Sequence, residues 1–244
     1  MSPMEGHLPA TGLDSDEELT LKSRMKVAAA LAVVASLTLA ACSGGNDTAE
    51  TGSGGTPAAG SGAALTIAKP DGAITTQSNN PFASTSSAMT LGYINAILEP
   101  VGMLNMADPS AEVTPWLAQE IVWNDDFTQV TLTPREGVTF SDGEPMTADD
   151  IAFSFQVRKD DPALNLSALP ITDVAVEDGN VVVSFETSMF VRQAHVVHVP
   201  VLPKHYIETI EDLTTDPLLD LVGTGPYTRT SFTSQAVVLT ARDD

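Results

Sequence analysis

The chain has 244 residues, 43% hydrophobic and 18% charged, with 11 Lys and Arg against 32 Asp and Glu and a formal net charge of -21. That balance argues against a nucleic-acid binder, which needs basic side chains to displace phosphate counterions, and against a basic protein held on anionic lipid. The apolar content is too high for a wholly disordered chain, and the lone Cys42 leaves no disulfide framework and no cysteine-built metal site.

The uncharged run Val27–Ala40 follows Lys22, Arg24 and Lys26 and ends in Leu39-Ala40-Ala41-Cys42. That run of fourteen residues falls short of the roughly 20 apolar residues that span a bilayer. A basic flank, a short apolar core and small residues at its end predict a secretory signal over residues 1–41. Glu5, Asp14, Asp16, Glu17 and Glu18 are foreign to such a leader, so translation is expected to start at Met25. Residues 43–62 are dominated by Gly, Ser, Thr and Ala and cannot bury enough surface to fold. Residues 42–63 therefore read as a leash of roughly 25 Å root-mean-square reach.

The folded part is expected over residues 64–244 as a mixed α/β (α+β) structure, richer in strand. Leu65–Ala68 is β-type, and Asn80-Pro81-Phe82 is loop, with Asn80 held extended by Pro81. Met89, Tyr93, Ile94 and Ile97 predict one helix over Ser87–Leu98, and Val101–Leu104 a strand. Strands are expected at Gln119–Asn124 and Thr128–Pro134 about an Asp125-Asp126 turn; Val130 and Leu132 alternate with Thr131 and Thr133, and Pro134 suits an edge strand. Thr147 and Asp150 have capping-box spacing ahead of a helix. In that helix Ala148, Ile151, Ala152 and Phe155 form one stripe, with Phe153 and Val157 on the opposite side. Such a helix either packs between two layers or offers its second side to a ligand. Asp178-Gly179 between two β-branched runs predicts a tight hairpin over Ile171–Phe185. A short helix running into a strand is expected over Met189–His198 and a helical turn from Pro203. A loop at Gly223–Tyr227 leads into strands at Tyr227–Phe232 and Ala236–Ala241.

No motif supports catalysis. There is no His-Glu-x-x-His helix and no Gly-x-Ser-x-Gly elbow. His195 and His198 sit three apart, yet no third metal ligand lies near in sequence. Gly223-x-Gly225 is followed by Pro226 and strand-like residues, so no helix N-terminus is offered to a phosphate. Neither an enzyme nor a cofactor is indicated.

Cysteine after Leu-Ala-Ala resembles the bacterial lipobox, which implies cleavage before Cys42 and a diacylglycerol on its thiol. Trp123–Asp126 with Leu132–Ile151 is similar to the signature of the family 5 extracellular solute-binding proteins of ABC transporters, the oligopeptide- and dipeptide-binding type. Val222–Tyr227 resembles that family's second signature, Pro203-Lys204-His205 the short motif between them, and Asn80-Pro81-Phe82 the start of its ligand lobe. Thr133-Pro134 departs from the usual Leu-Arg lead. The resemblance implies a type II (cluster C) periplasmic-binding-protein-like fold with two lobes about a cleft. Residues 64–114 and about 190–244 would belong to the first lobe, and about 115–189 to a small inserted β-rich domain. Members run to roughly twice this length, so a truncated chain without its second lobe is expected, whose residues 64–244 bind solute weakly or not at all. The implied function is a lipid-anchored receptor on the outer face of the cell membrane. It would capture an oligopeptide-like solute for ABC permease subunits and bind no nucleic acid. Expected ligand contacts are Asn80, Phe82, the backbone of Thr85, Ser86, Ser87 and Ala88 by strand addition, and Phe153. For Thr85–Ala88 the residues themselves also allow an ordinary loop into a helix cap. A surface remnant without transport and an oligosaccharide-binding member are the alternatives.

Overall fold

The computed structural model describes residues 66, 74–108 and 111–243, all within one compact unit, Leu65–Asp244. The signal-like run, Cys42, the leash and, Thr66 apart, the first predicted strand lie outside the described residues.

The centre is a four-stranded antiparallel sheet ordered β3-β4-β6-β5, made from β3 (Ala118–Trp123), β4 (Gln129–Pro134), β5 (Ile171–Glu177) and β6 (Asn180–Phe185). Its hairpins follow from local chemistry. Asp178 and Gly179 both take positive φ, 50° and 82°, the two-residue turn that matches strand twist. Between β3 and β4, Asp126 accepts from the Thr128 N–H at 3.1 Å and hydroxyl at 2.6 Å, which lowers its pKa. Alternation places Val130 and Leu132 opposite Val183 and Val181, and all four are fully buried.

Pro134 does not lie on an edge strand: β4 is interior, between β3 and β6. The proline is tolerated because β6 pairs only with Gln129–Leu132, leaving its missing N–H beyond that ladder. Opposite it, the β3 register shifts between Ala118 and Glu120.

Helix α3 (Ala148–Asp160) begins at Thr147, whose N–H and hydroxyl both donate to one Asp150 carboxylate oxygen, at 2.8 and 2.9 Å. The other oxygen accepts from the Lys204 N–H at 3.0 Å, so the buried carboxylate is fully engaged. Ile151 and Phe155 enter the sheet's core, with Ala148 and Ala152 packed against it. Phe153 and Val157 pack against a second cluster built on Phe82, Ala88, Ile97, Leu98, Leu202 and Ile207. The helix thus stands between two apolar layers.

The remainder is less regular. The helix expected over Ser87–Leu98 is two single turns, α1 (Ser87–Thr90) and α2 (Ile94–Ile97), because Gly92 takes a φ of 76° between them. The expected strand at Val101–Leu104 reduces to β1 (Gly102–Met103), paired with β2 (Thr114–Pro115). Met189 is followed by a 3-10 turn, Phe190–Arg192, and α4 (Gln193–Val197). The strand expected after it shrinks to a single bridge, Pro100 to Pro200, since neither proline can donate to a ladder. Then come α5 (Lys204–Ile207) and a hairpin of β7 (Tyr227–Phe232) and β8 (Val237–Ala241).

Candidate functional site

The sequence motifs converge on one scaffold. His205 Nε2 lies 2.7 Å from Asp142 Oδ2, and its ring meets Phe140 edge-on at 5.6 Å. Burial pushes the Asp142 carboxyl up, but hydrogen bonds from His205 and the Glu144 N–H outweigh it and leave the pKa below the ordinary value. Arg242 ties two motifs together by donating to the carbonyls of Thr139 and Phe140 and to those of Gly223 and Gly225. Gly223 and Gly225 are glycines for a packing reason. A Cβ on either would stand 2.0 Å from the Ile97 carbonyl oxygen or 2.4 Å from that of Ala96. The Gly225 N–H donates to Ile97 O at 2.8 Å. These residues join the end of α2 to the loop before β7; the Gly-x-Gly pair holds backbone, not phosphate.

Next to this scaffold lies the Ser78–Tyr93 segment, where most of the expected ligand contacts fall. Asn80 is buried; its Nδ2 donates to the carbonyls of Leu213 and Asp216 at 2.8 and 2.7 Å, and its Oδ1 accepts from the Phe82 N–H at 2.7 Å. Asn79 Nδ2 donates to Leu219 O, and the Asn79 N–H to Pro217 O. Ser86 caps α1 through its hydroxyl, which accepts from the Met89 N–H. The Ser87 hydroxyl lies 2.8 Å from Ser78 O and 2.9 Å from the Tyr93 hydroxyl, and shares its one hydrogen between them while Tyr93 donates to Asn79 Oδ1. Burial pushes the Tyr93 phenol up, against a smaller lowering from Ser87. Within Thr85–Ala88, Thr85 is exposed while Ser86, Ser87 and Ala88 are buried. The Ser86 N–H donates to Ala83 O and the Ala88 N–H to Ser78 O. Of these four residues only Thr85 is exposed, and the N–H groups of Ser86 and Ala88 are already bonded within the fold.

Phe82 and Ala88 sit in the second apolar cluster, and Phe153 packs against that cluster from α3. Phe153 also lines an open groove of about 390 Å³, together with Asp149, Gln156 and Asp160 of the same helix. Val174 and Val176 of β5 and Lys204 and Glu208 at α5 complete its walls.

Arg158 is the residue that sequence reasoning misses. It is 8% exposed, its guanidinium lies 5.0 Å from the centre of the Phe82 ring, and Nη1 donates to the Ser154 carbonyl. Burial lowers its pKa to about 10, so it stays charged at neutral pH and clamps Phe82 to α3 by a cation–π contact. In the sequence it looks only like a basic residue suited to the last helical turn.

His198 faces inward, its Nε2 accepting from the Leu104 N–H at 3.0 Å, and burial lowers its pKa. Among the described residues no three His, Cys, Asp or Glu side chains come together to hold a metal ion.

The family profile described as bacterial extracellular solute-binding proteins, family 5 Middle, matches residues 112–244. The chain belongs to the family 5 bacterial extracellular solute-binding proteins. Among curated proteins it is similar to Protein XP55 of Streptomyces lividans, 34% identical over 130 residues, covering 51% of this chain and 24% of that protein. It is also similar to the probable peptide-binding protein YejA of Agrobacterium fabrum, 27% identical over 120 residues, 46% of this chain and 20% of that one. Among solved structures, the mannohexaose-bound periplasmic oligopeptide-binding protein of Thermotoga maritima aligns with a TM-score of 0.59 at 25% identity, over 69% of this chain and 31% of that one. Bacillus subtilis AppA, solved with a nonapeptide, shares the fold at a TM-score of 0.55 and 20% identity, over 70% and 35%. A nickel ABC transporter protein of Bacillus halodurans aligns at 0.51 and 25%, over 69% and 33%. The family 5 chain thus spans about a quarter or less of the length of these curated relatives and about a third of the structural ones. Its mixed α/β fold corresponds to part of a type II periplasmic binding protein.

Proposed function

We propose that this family 5 protein captures oligopeptides outside the cell and delivers them to the permease of an ABC importer. The family match over residues 112–244 carries the reading. The Thermotoga oligopeptide-binding neighbour and the probable peptide-binding relative supply the solute class. For a ligand site at Asn80, Phe82, Thr85–Ala88 and Phe153, support comes from the one cluster that holds Phe82 and Ala88 and packs against Phe153, and from the exposure of Thr85. Residues 64–114 and about 190–244 form the first lobe in this reading, with about 115–189 inserted; the four-stranded sheet of β3 to β6, built wholly from 118–185, supports that division. The signal-like run and the lipobox-like end support a diacylglycerol anchor on Cys42 at the outer membrane face.

A second solute class has its own support, because the Thermotoga neighbour holds mannohexaose. The test is uptake by the cell that makes the protein. Deleting the gene should abolish import of a labelled nonapeptide, and restoring it should recover import. Cys42→Ala should release the protein into the medium. If mannohexaose import is lost instead, the solute is an oligosaccharide. If neither import changes, the chain is a surface protein without transport and the proposal fails.

A further inference from the structure

We propose that the groove between α3 and the outer edge of β5 is a second peptide-binding site, which takes an extended segment of about five residues bearing lysine or arginine by adding it to β5 as a strand. This goes beyond solute uptake: it assigns a separate site with its own side-chain preference, and it shares only Phe153 with the contacts proposed above.

Three observations meet there. The first is an open edge. Strand order leaves β5 with β6 on one side only. The two-residue turn makes Glu177 and Asn180 a hydrogen-bonded pair, and alternation does the same for Ala175 with Val182 and Asp173 with Ser184. The N–H and C=O groups of Val174 and Val176 therefore point away from β6, and no main-chain bond to them comes from another element among the described residues.

The second is shape. Asp149, Phe153, Gln156 and Asp160 follow helical spacing along one face of α3 and line a groove of about 390 Å³ beside Val174 and Val176. Asp149 to Asp160 spans about 16 Å of helix, which an extended chain covers in about five residues.

The third is charge. Asp149 and Asp160 mark the two ends of the α3 stripe, and the α5 wall carries one acid, Glu208, and one base, Lys204. Asp173 and Glu177 are exposed on the other face of β5, outside the groove but flanking the same edge. Phe153, Val174 and Val176 offer an apolar floor for the methylene stems of lysine or arginine, whose heads then reach the carboxylates. A second copy paired antiparallel about Ala175 would set Asp173 against the other copy's Glu177, and like charges across a pair of strands destabilise it. The same acid groups that keep copies apart draw a basic strand in.

The probe is acetyl-Lys-Val-Lys-Val-Lys-amide, titrated into the full 15N-labelled chain. The expected result is saturable shifts at the amides of Val174, Val176 and Phe153, weakened by added salt. The acidic counterpart, with Glu for Lys, should leave them unmoved. Val176→Pro removes an outward N–H at a position where an edge strand tolerates proline, and should weaken binding about tenfold. The basic peptide with every amide N-methylated should fail against the unaltered chain, so the test stands even if the proline variant does not fold. Absence of shifts, equal binding of the acidic or methylated peptide, or shifts confined to Ser78–Tyr93 would overturn the proposal. Self-association abolished by Val176→Pro, without peptide binding, would overturn it in favour of a second copy. Because uptake is read in cells and these shifts on the isolated chain, either proposal can fail while the other holds.

Discussion

In the sheet, β5 and β6 are joined by two residues and pair along almost their whole length. Around Asn80, by contrast, one side-chain amide reaches carbonyls 133 and 136 residues further along the chain. The first region is assembled from neighbours in sequence, and its stability rests on alternating apolar residues such as Val130, Leu132, Val181 and Val183. The second has short helices and few strands. It is held by side chains that substitute for missing backbone partners, and by glycines that let two backbones touch. Closing such long loops costs entropy before any contact repays it, so the second region depends on each individual bond being satisfied. The proposed solute contacts of Asn80–Ala88 fall in this second region. The basic-peptide groove falls on the first.

The largest test of this contrast is Gly223→Ala. The new Cβ would meet backbone rather than a yielding side chain, 2.0 Å from Ile97 O. A loss of about 3 kcal/mol in urea denaturation is expected. A loss below a few tenths would show that the α2 contact is not as tight as described.

Asn80→Ala should cost less, about 2 kcal/mol, because it strands two half-buried carbonyls and the buried Phe82 N–H without adding bulk. It also sharpens the comparison. Hydrogen exchange should quicken in α1 while the amides of Val181 and Val183 keep their protection. Equal loss in both regions would mean that they unfold as one.

The smallest effect is one of pH. His198 is half-buried and its pKa lies below the ordinary 6.5. The unfolded chain takes up a proton near that value which the folded imidazole resists. The contribution to stability is therefore complete above about pH 6.5 and is lost as pH falls toward the folded pKa. The urea midpoint should drop between about pH 7.5 and about pH 5.5, and His198→Gln should flatten that part of the drop. An unchanged slope in the variant would assign it to other groups.

Much of the first region was legible in the chain. The Asp178-Gly179 hairpin, the Thr147–Asp150 cap and the two sides of α3 each depend on residues within a turn or two of one another. The second region was legible only as motifs. Ser87–Leu98 reads as one helix by spacing, yet Gly92 breaks it. Val222–Tyr227 was recognisable by resemblance, but the reason for its two glycines lies in the carbonyls of Ala96 and Ile97, far away in sequence. Thr85–Ala88 carried two readings, strand addition and helix cap. Ser86 does cap α1, and Thr85 keeps the exposure that pairing would need.

Periodicity, capping residues and turn residues by themselves determined the strands β3 to β8, their hairpins and the long helix of this protein, because those preferences act through torsions and contacts only a few residues apart. Tertiary structure alone decided that Pro134 sits beyond the end of a ladder, that Arg158 is buried against Phe82, and that β5 pairs only with β6 among the described residues, beside an acidic helix face. Each of those outcomes depends on which distant segment arrives alongside, and chain order does not contain that information locally.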